Sequence, residues 1–394
     1  MNRGRMSENQ LKFIMQPTIQ REASSRLHGL DALRAFAILG VLAFHYHRNW
    51  DHPKWMENVL FKFGWSGVDL FFVLSGFLIS SQLFQELTST SKISFKSFYL
   101  KRSFRILPNY WFVLGLYFLF PSVREVPENT PWLKLLTFTQ NLGFSDSSFS
   151  HAWSLCIEEH FYFLLPITLL LMAKWNGLKH IPVIVTFALM LGFIWKCWFM
   201  NWLMNAPAGQ DKLYLYNLWL YRPTFSRLDG LLTGFLIAWI YHYASGLRAW
   251  MTQRHLWCLC GGILLLVGNS VLESHRQSVP YGVMLGLGGR YTFVSIAFGL
   301  ILISAITPGS IMDRLRWKPV AMFATYSYAI YLSHKIGILT TQRLLGSAGV
   351  NTENNLTVLI CIATSFLAGM AMHYGIERPS HALRQKTLAW LHRS

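Results

Sequence analysis

Arg34 and His45 stand in the first long apolar stretch of the chain, which runs from Leu30 to His47. On a helix of 3.6 residues per turn their spacing of 11 residues puts them on one face, about 16 Å apart along the axis. A charged group at mid-membrane costs roughly 2.5 kcal/mol or more unless it faces protein or water. The pair therefore reads as two ends of one site. An imidazole there serves as general base or nucleophile, and a guanidinium grips phosphate or carboxylate.

Other stretches carry residues of the same kind. The second apolar run opens Trp65-Ser66-Gly67-Val68-Asp69. Ser66 and Asp69 have capping-box spacing with an acid in the first turn. Alternatively, Ser66, Gly67 and Asp69 form a helix start beside His45 whose N–H groups meet a developing oxyanion. Gly67, Ser75 and Gly76 leave room for a second helix. Arg102 and Arg105, one turn apart ahead of Pro108, act either as a positive-inside anchor or, with Arg34, as a forked grip on a phosphorylated cytoplasmic cosubstrate.

Glu158, Glu159 and His160 lie one to two turns into the run that begins at His151. They close an interhelical ion pair, with Arg227 or Lys196, or a carboxylate orients an imidazole as in a catalytic triad. Neighbours on a helix point about 100° apart, so at most one glutamate faces His45 squarely. Arg227 and Asp229 cannot pair within one helix and need partners on others. The cluster from Tyr326 to Lys335 includes His334, and Pro379 is expected to stop the last apolar helix.

The elements that position these groups are set by composition. The 394 residues are 53% hydrophobic and only 13% charged, against about 25% charged in soluble chains. The expected class is an all-α, polytopic transmembrane bundle. Apolar runs near 29–48, 65–85, 106–121, 153–173, 181–200, 223–244, 255–272, 289–307, 319–340 and 355–376 give about ten spans. With the N-terminus inside, the inner segments carry 21 Lys and Arg against 8 outside, which puts both termini in the cytoplasm. Arg34 then lies toward the cytoplasm and His45 toward the outer face. We expect a cytoplasmic tail at 1–28 without a cleavable signal peptide, one membrane domain at 29–379, and a basic, amphipathic cytoplasmic tail at 380–394 lying on the membrane surface. The net charge of +17 follows the membrane sidedness rather than any nucleic-acid motif. Five cysteines, all inside apolar runs and without Cys/His metal spacing, lead us to expect neither disulfides nor a metal.

Taken together these residues resemble the membrane-bound acyltransferase family 3, integral-membrane sugar O-acyltransferases of the O-antigen-acetylase type. The likeness runs from Leu30 to Pro379. It rests on Arg34-x10-His45, Ser66-Gly67-Val68-Asp69 through Phe77, Arg102-x-x-Arg105-Ile106-x-Pro108, Trp153-Ser154-Leu155 with Glu158-Glu159 and Phe161-Tyr162, Arg227 with Asp229, Tyr326-Ser327 through His334, and Glu377-x-Pro379. His160 stands where many relatives have glutamine. The chain ends soon after its last span, so the extracytoplasmic hydrolase-like domain fused to some relatives is expected to be absent. The resemblance implies transfer of an acyl group, usually acetyl from acetyl-CoA, to a hydroxyl of a glycan or glycolipid such as lipopolysaccharide, at the inner (plasma) membrane.

The expected division of labour follows. Arg34, Arg102 and Arg105 meet the phosphates of acyl-CoA. His45 is general base or transient acyl acceptor, oriented by Glu158 or Glu159. Ser66, Gly67, Asp69 and His334 are candidates for substrate or oxyanion contact. The alternative function is a multi-pass transporter of a glycan or lipid-linked substrate, which also places ionisable groups at mid-membrane but predicts inverted halves that the sequence does not display. Oligomeric state is not encoded in these patterns.

Overall fold

In the computed structural model, residues 27–143, 147–207, 209–274 and 284–391 are described, and their regular structure is entirely helical. The longer helices are α1 (His28–Asn49), α2 (Ser66–Thr90), α3 (Phe95–Leu119), α4 (Trp153–Lys174), α5 (Ile181–Met204), α6 (Asp229–Tyr243), α7 (His255–Ser274), α8 (Arg290–Ala305), α9 (Lys318–Ser347), α10 (Asn355–Met372) and α11 (Arg378–Leu391). Every expected span falls on one of α1 to α10. Six of these helices, α1, α2, α4, α5, α7 and α10, are long and apolar enough to cross a bilayer, which makes this a multi-pass membrane protein. The other four depart from the simple pattern for visible reasons. α6 and α8 are short, with 15 and 16 residues. α3 begins well before its apolar run and carries the basic stretch with it. α9 has 30 residues, but its polar cluster dilutes the apolar character.

α2 is the hub. Its membrane-length window is 72% buried, against 28% for α5 and 17% for α7. Those peripheral helices turn residues such as Phe187, Ile194, Trp198, Trp257 and Leu264 outward, toward where lipid would lie. α2 meets α6 through a small-residue seam. A methyl group at Gly76 would overlap the Leu231 carbonyl, and one at Gly234 the Val73 carbonyl. Charge then locks the hub. Arg227 donates to Asp69 Oδ1 at 2.9 Å, both side chains almost wholly buried. Lys196 Nζ reaches both Asp229 oxygens at 2.7 Å, and Thr292 donates to the same carboxylate at 2.6 Å. Arg227 and Asp229 thus find partners on other helices, as their spacing requires.

Several local expectations are corrected. Ser66 caps nothing, because a tight turn at Phe63–Trp65 precedes α2 and the Ser66 N–H bonds the Phe63 and Gly64 carbonyls. Pro379 does not stop a helix. α10 passes through a wide turn at His373–Glu377 into α11, where Pro379 occupies the first turn and its missing N–H is not needed. The boundary drawn at 379 therefore falls inside a helix. The N-terminal tail up to residue 26 and the last three residues lie outside the described residues.

Candidate active site

α1 delivers His45 in its penultimate turn, α9 delivers His334, and the tight turn Ser150–Ala152 ahead of α4 delivers His151. Their rings cluster, with centroids 4.8 Å apart for His45–His334, 5.1 Å for His151–His334 and 6.4 Å for His45–His151. The hydrogen-bond network assigns the tautomers. His334 Nδ1 donates to the Tyr331 carbonyl at 2.8 Å, so its Nε2 carries the lone pair. That nitrogen lies 3.2 Å from His45 Nδ1, which also points at the Val41 carbonyl at 3.1 Å. His45 therefore holds its proton on Nδ1 and its lone pair on Nε2, the arrangement a general base or nucleophile requires. His151 Nε2 donates to the Leu332 carbonyl at 3.2 Å, and its buried Nδ1 has no hydrogen-bond partner.

His45 and His151 of this cluster line a cavity of about 770 Å³ together with Lys335, Glu125, Ser150 and Arg290. Lys335 Nζ is held 2.5 Å from Glu125 and 3.2 Å from Ser150. Behind it stands a cation–aromatic cage, with Arg290 4.7 Å from the Trp65 ring and Arg227 3.5 Å from the Tyr291 ring. His47, His52 and Glu57 stand in the wall of the same cavity. The Lys62 ammonium and then His52 hold the Glu57 carboxyl below its ordinary range.

A second, narrower pocket of about 260 Å³ brings Arg34, Arg102 and Arg105 together. Arg102 donates to Gln82 at 3.1 Å, and Arg34 lies 3.6 Å from Asp31. Glu158 belongs to this pocket too, accepting from Ser75 at 3.0 Å and Tyr162 at 3.1 Å, while Glu159 interacts electrostatically with Arg102. Glu158 and Glu159 therefore stand on the arginine side, and the hydrogen-bond partners of His45 are Val41 and His334 instead. Seven residues of helix separate Glu158 from His151, about 10 Å of axial rise, so the carboxylates sit at the arginine level and His334 takes the place beside His45.

The candidate oxyanion groups at the α2 start are engaged in other contacts. Asp69 is committed to Arg227, the Ser66 N–H is already bonded, and Gly67 serves close packing against the Ala37 carbonyl. His160 bonds Thr224 at 2.7 Å, away from both pockets. Sequence reasoning missed His151 and Lys335 as site residues. Both flank recognised clusters, and their signal was being the polar residue nearest the His45 end of a helix.

No residue lines both pockets. The Ser154 and Tyr331 hydroxyls, 2.5 Å apart, stand between them, with Tyr331 also donating to the His151 carbonyl at 2.8 Å and the Phe71 ring 6.3 Å from the Tyr331 ring.

The acyltransferase-domain family model matches residues 27–374, nearly the whole chain. The protein belongs to this acyltransferase family. Among its curated relatives, the peptidoglycan O-acetyltransferase OatA of Listeria monocytogenes is 26% identical over 89% of this chain and 55% of its own length. A putative peptidoglycan O-acetyltransferase of Bacillus subtilis is 27% identical over 89% of this chain and 54% of its own. The O-acetyltransferase OatA of Staphylococcus aureus is 28% identical over 78% and 50%. The chain thus spans about half the length of the curated relatives it matches. No solved structure matches it. Membership of an acyltransferase family bears out the resemblance drawn from the motifs and leaves the transporter reading without support.

Proposed function

We propose that this protein transfers an acyl group, acetyl in the first instance, from acyl-CoA to a hydroxyl of a cell-envelope glycan. The observation that carries the reading is the His45–His334 hydrogen bond facing a sugar-sized cavity in a chain of an acyltransferase family. Names of relatives support acetyl as the group and peptidoglycan as the class of acceptor. The donor enters at the arginine pocket. Its 260 Å³ suits a narrow pantetheine arm rather than a whole coenzyme, leaving the phosphates to the guanidiniums at its edge.

At the other pocket, His45 Nε2 takes the proton of the acceptor hydroxyl as its oxygen attacks the thioester carbonyl. The C–S bond breaks, and the proton passes to the departing sulfur. In the covalent variant Nε2 itself attacks the thioester carbonyl and expels the thiolate, forming an acyl-imidazolium; the hydroxyl then takes the acyl group and its proton passes to the thiolate. The excess of Lys and Arg in one set of connections supports a cytoplasmic donor side and an acceptor side across the plasma membrane.

The test uses membranes or detergent-purified protein given acetyl-CoA, with and without peptidoglycan fragments. Glycan-dependent release of free thiol, and a gain of about 42 Da on the glycan (one proton replaced by C2H3O, the specificity question of), are expected. His45→Ala should abolish both while the protein still accumulates in the membrane. Product formation by His45→Ala would overturn the assignment.

A further inference from the structure

Beyond the histidines of the proposed chemistry, the wall of the larger cavity holds a second group of ligating side chains. His47 comes from the last turn of α1, His52 from the connection that follows, and Glu57 from the short turn Lys54–Glu57. His47 Nδ1 and His52 Nε2 are 3.1 Å apart, as are His52 Nε2 and Glu57 Oε1. The three donor atoms all lie within 4.8 Å of one another.

Hydrogen bonding alone satisfies this group poorly. His52 Nδ1 donates to the Trp50 carbonyl at 2.8 Å, so neutral His52 keeps its lone pair on Nε2. That lone pair can accept from His47 Nδ1–H, but at 3.1 Å it also faces a Glu57 carboxylate oxygen, which has no proton to give. The contact is repulsive unless a cation lies between them or His52 is itself protonated. Ligands held 2.0–2.1 Å from a tetrahedral zinc ion lie about 3.3 Å from each other, close to the observed 3.1 Å separations. The supporting contacts are those a metal site uses. A backbone carbonyl fixes the His52 tautomer, and Lys62 Nζ holds the other Glu57 oxygen at 2.9 Å.

We propose that His47, His52 and Glu57 bind a divalent transition-metal ion, zinc by the chemistry of two imidazoles and one carboxylate, with its fourth position open to the cavity. Two histidines and a glutamate leave such a position vacant for water or a substrate oxygen. The ion also clips the α1–α2 connection to the end of α1, since all three ligands fall within eleven residues of chain.

The experiment takes the full chain in detergent, stripped with chelator and dialysed, and titrates it with zinc chloride alone by calorimetry. Cobalt(II) serves as a visible-absorption probe of tetrahedral geometry. One equivalent of zinc per chain and intense cobalt bands are expected. His52→Ala should lose both. Glu57→Gln, which keeps the side-chain shape and so guards against misfolding, should weaken zinc binding by about 10-fold or more. His180→Ala, at an exposed histidine elsewhere, should change nothing. No zinc uptake above the stripped level, or uptake unchanged in both His52→Ala and Glu57→Gln, would overturn the site and leave the trio as a protonated hydrogen-bond chain. None of these readouts depends on acyl transfer.

Discussion

In the proposed mechanism His334 does for His45 what a carboxylate does in a serine-protease triad, with one difference. A neutral imidazole fixes the tautomer without placing a negative charge beside the proton it holds. Removing it should leave substrates binding and impair chemistry. His334→Ala is expected to lower kcat by about 10²-fold or more with little change in either KM, and steady-state kinetics on both substrates would show this. A rise in donor KM at unchanged kcat would instead make His334 a binding residue. Glu158→Gln should act the other way, altering saturation by acyl-CoA while kcat holds, because its partners Ser75 and Tyr162 stand in the arginine pocket. Arg102→Ala should raise donor KM in the same assay, and unchanged saturation would return Arg102 to a membrane anchor. Arg34, Arg102, Arg105 and His45 were legible as site candidates because an ionisable group in or beside an apolar run needs a reason. The partner of His45 was not. A helix gives the level of a side chain but not its neighbours, and the adjacent glutamates drew the eye two turns too far along α4.

At the scale of elements, apolar run length marked every helix from α1 to α10, since burial in lipid or in the bundle demands the same unbroken hydrophobicity. Which helices face lipid was hidden, because apolar α5 and the hub α2 look alike until packing turns one outward and encloses the other. The seam that encloses α2 is specific. Gly230 and Gly234 fall one turn apart on α6, Gly230 against Asp69 and Phe72 and Gly234 against Val73 and Gly76 of α2. Gly234→Leu should drive the two helices apart, lowering the detergent Tm and the yield of monodisperse protein. The same substitution at Gly246, which meets nothing within 4 Å, should be near neutral. Equal effects at the two positions would remove the seam from the argument.

For the molecule as a whole, two buried ion pairs join α2, α5, α6 and the connection leading into α6, and their worth lies in pairing rather than in net attraction. Asp69→Ala leaves Arg227 charged and buried, with an expected cost of about 3–5 kcal/mol. Replacing both residues with leucine should recover most of it in a thermal or chemical denaturation series. Failure of the double variant to recover would mean that the guanidinium stacking on Tyr291 and its neighbours, rather than the pair, holds this region.

The partition formed by Tyr331, Ser154 and Phe71 carries a consequence for the cell as well as for the reaction. With the proposed sidedness, two hollows approaching each other across a bilayer are the beginnings of a pore, and this one is stopped by two hydroxyls and two rings. The same few side chains that an acyl group must get past also keep the membrane an electrical insulator. Substituting Tyr331 with glycine should make proteoliposomes leak protons in a dye-quenching assay, whereas the unaltered protein holds its gradient. On the proposed reaction, the protein has to pass two carbons across while letting no charge follow.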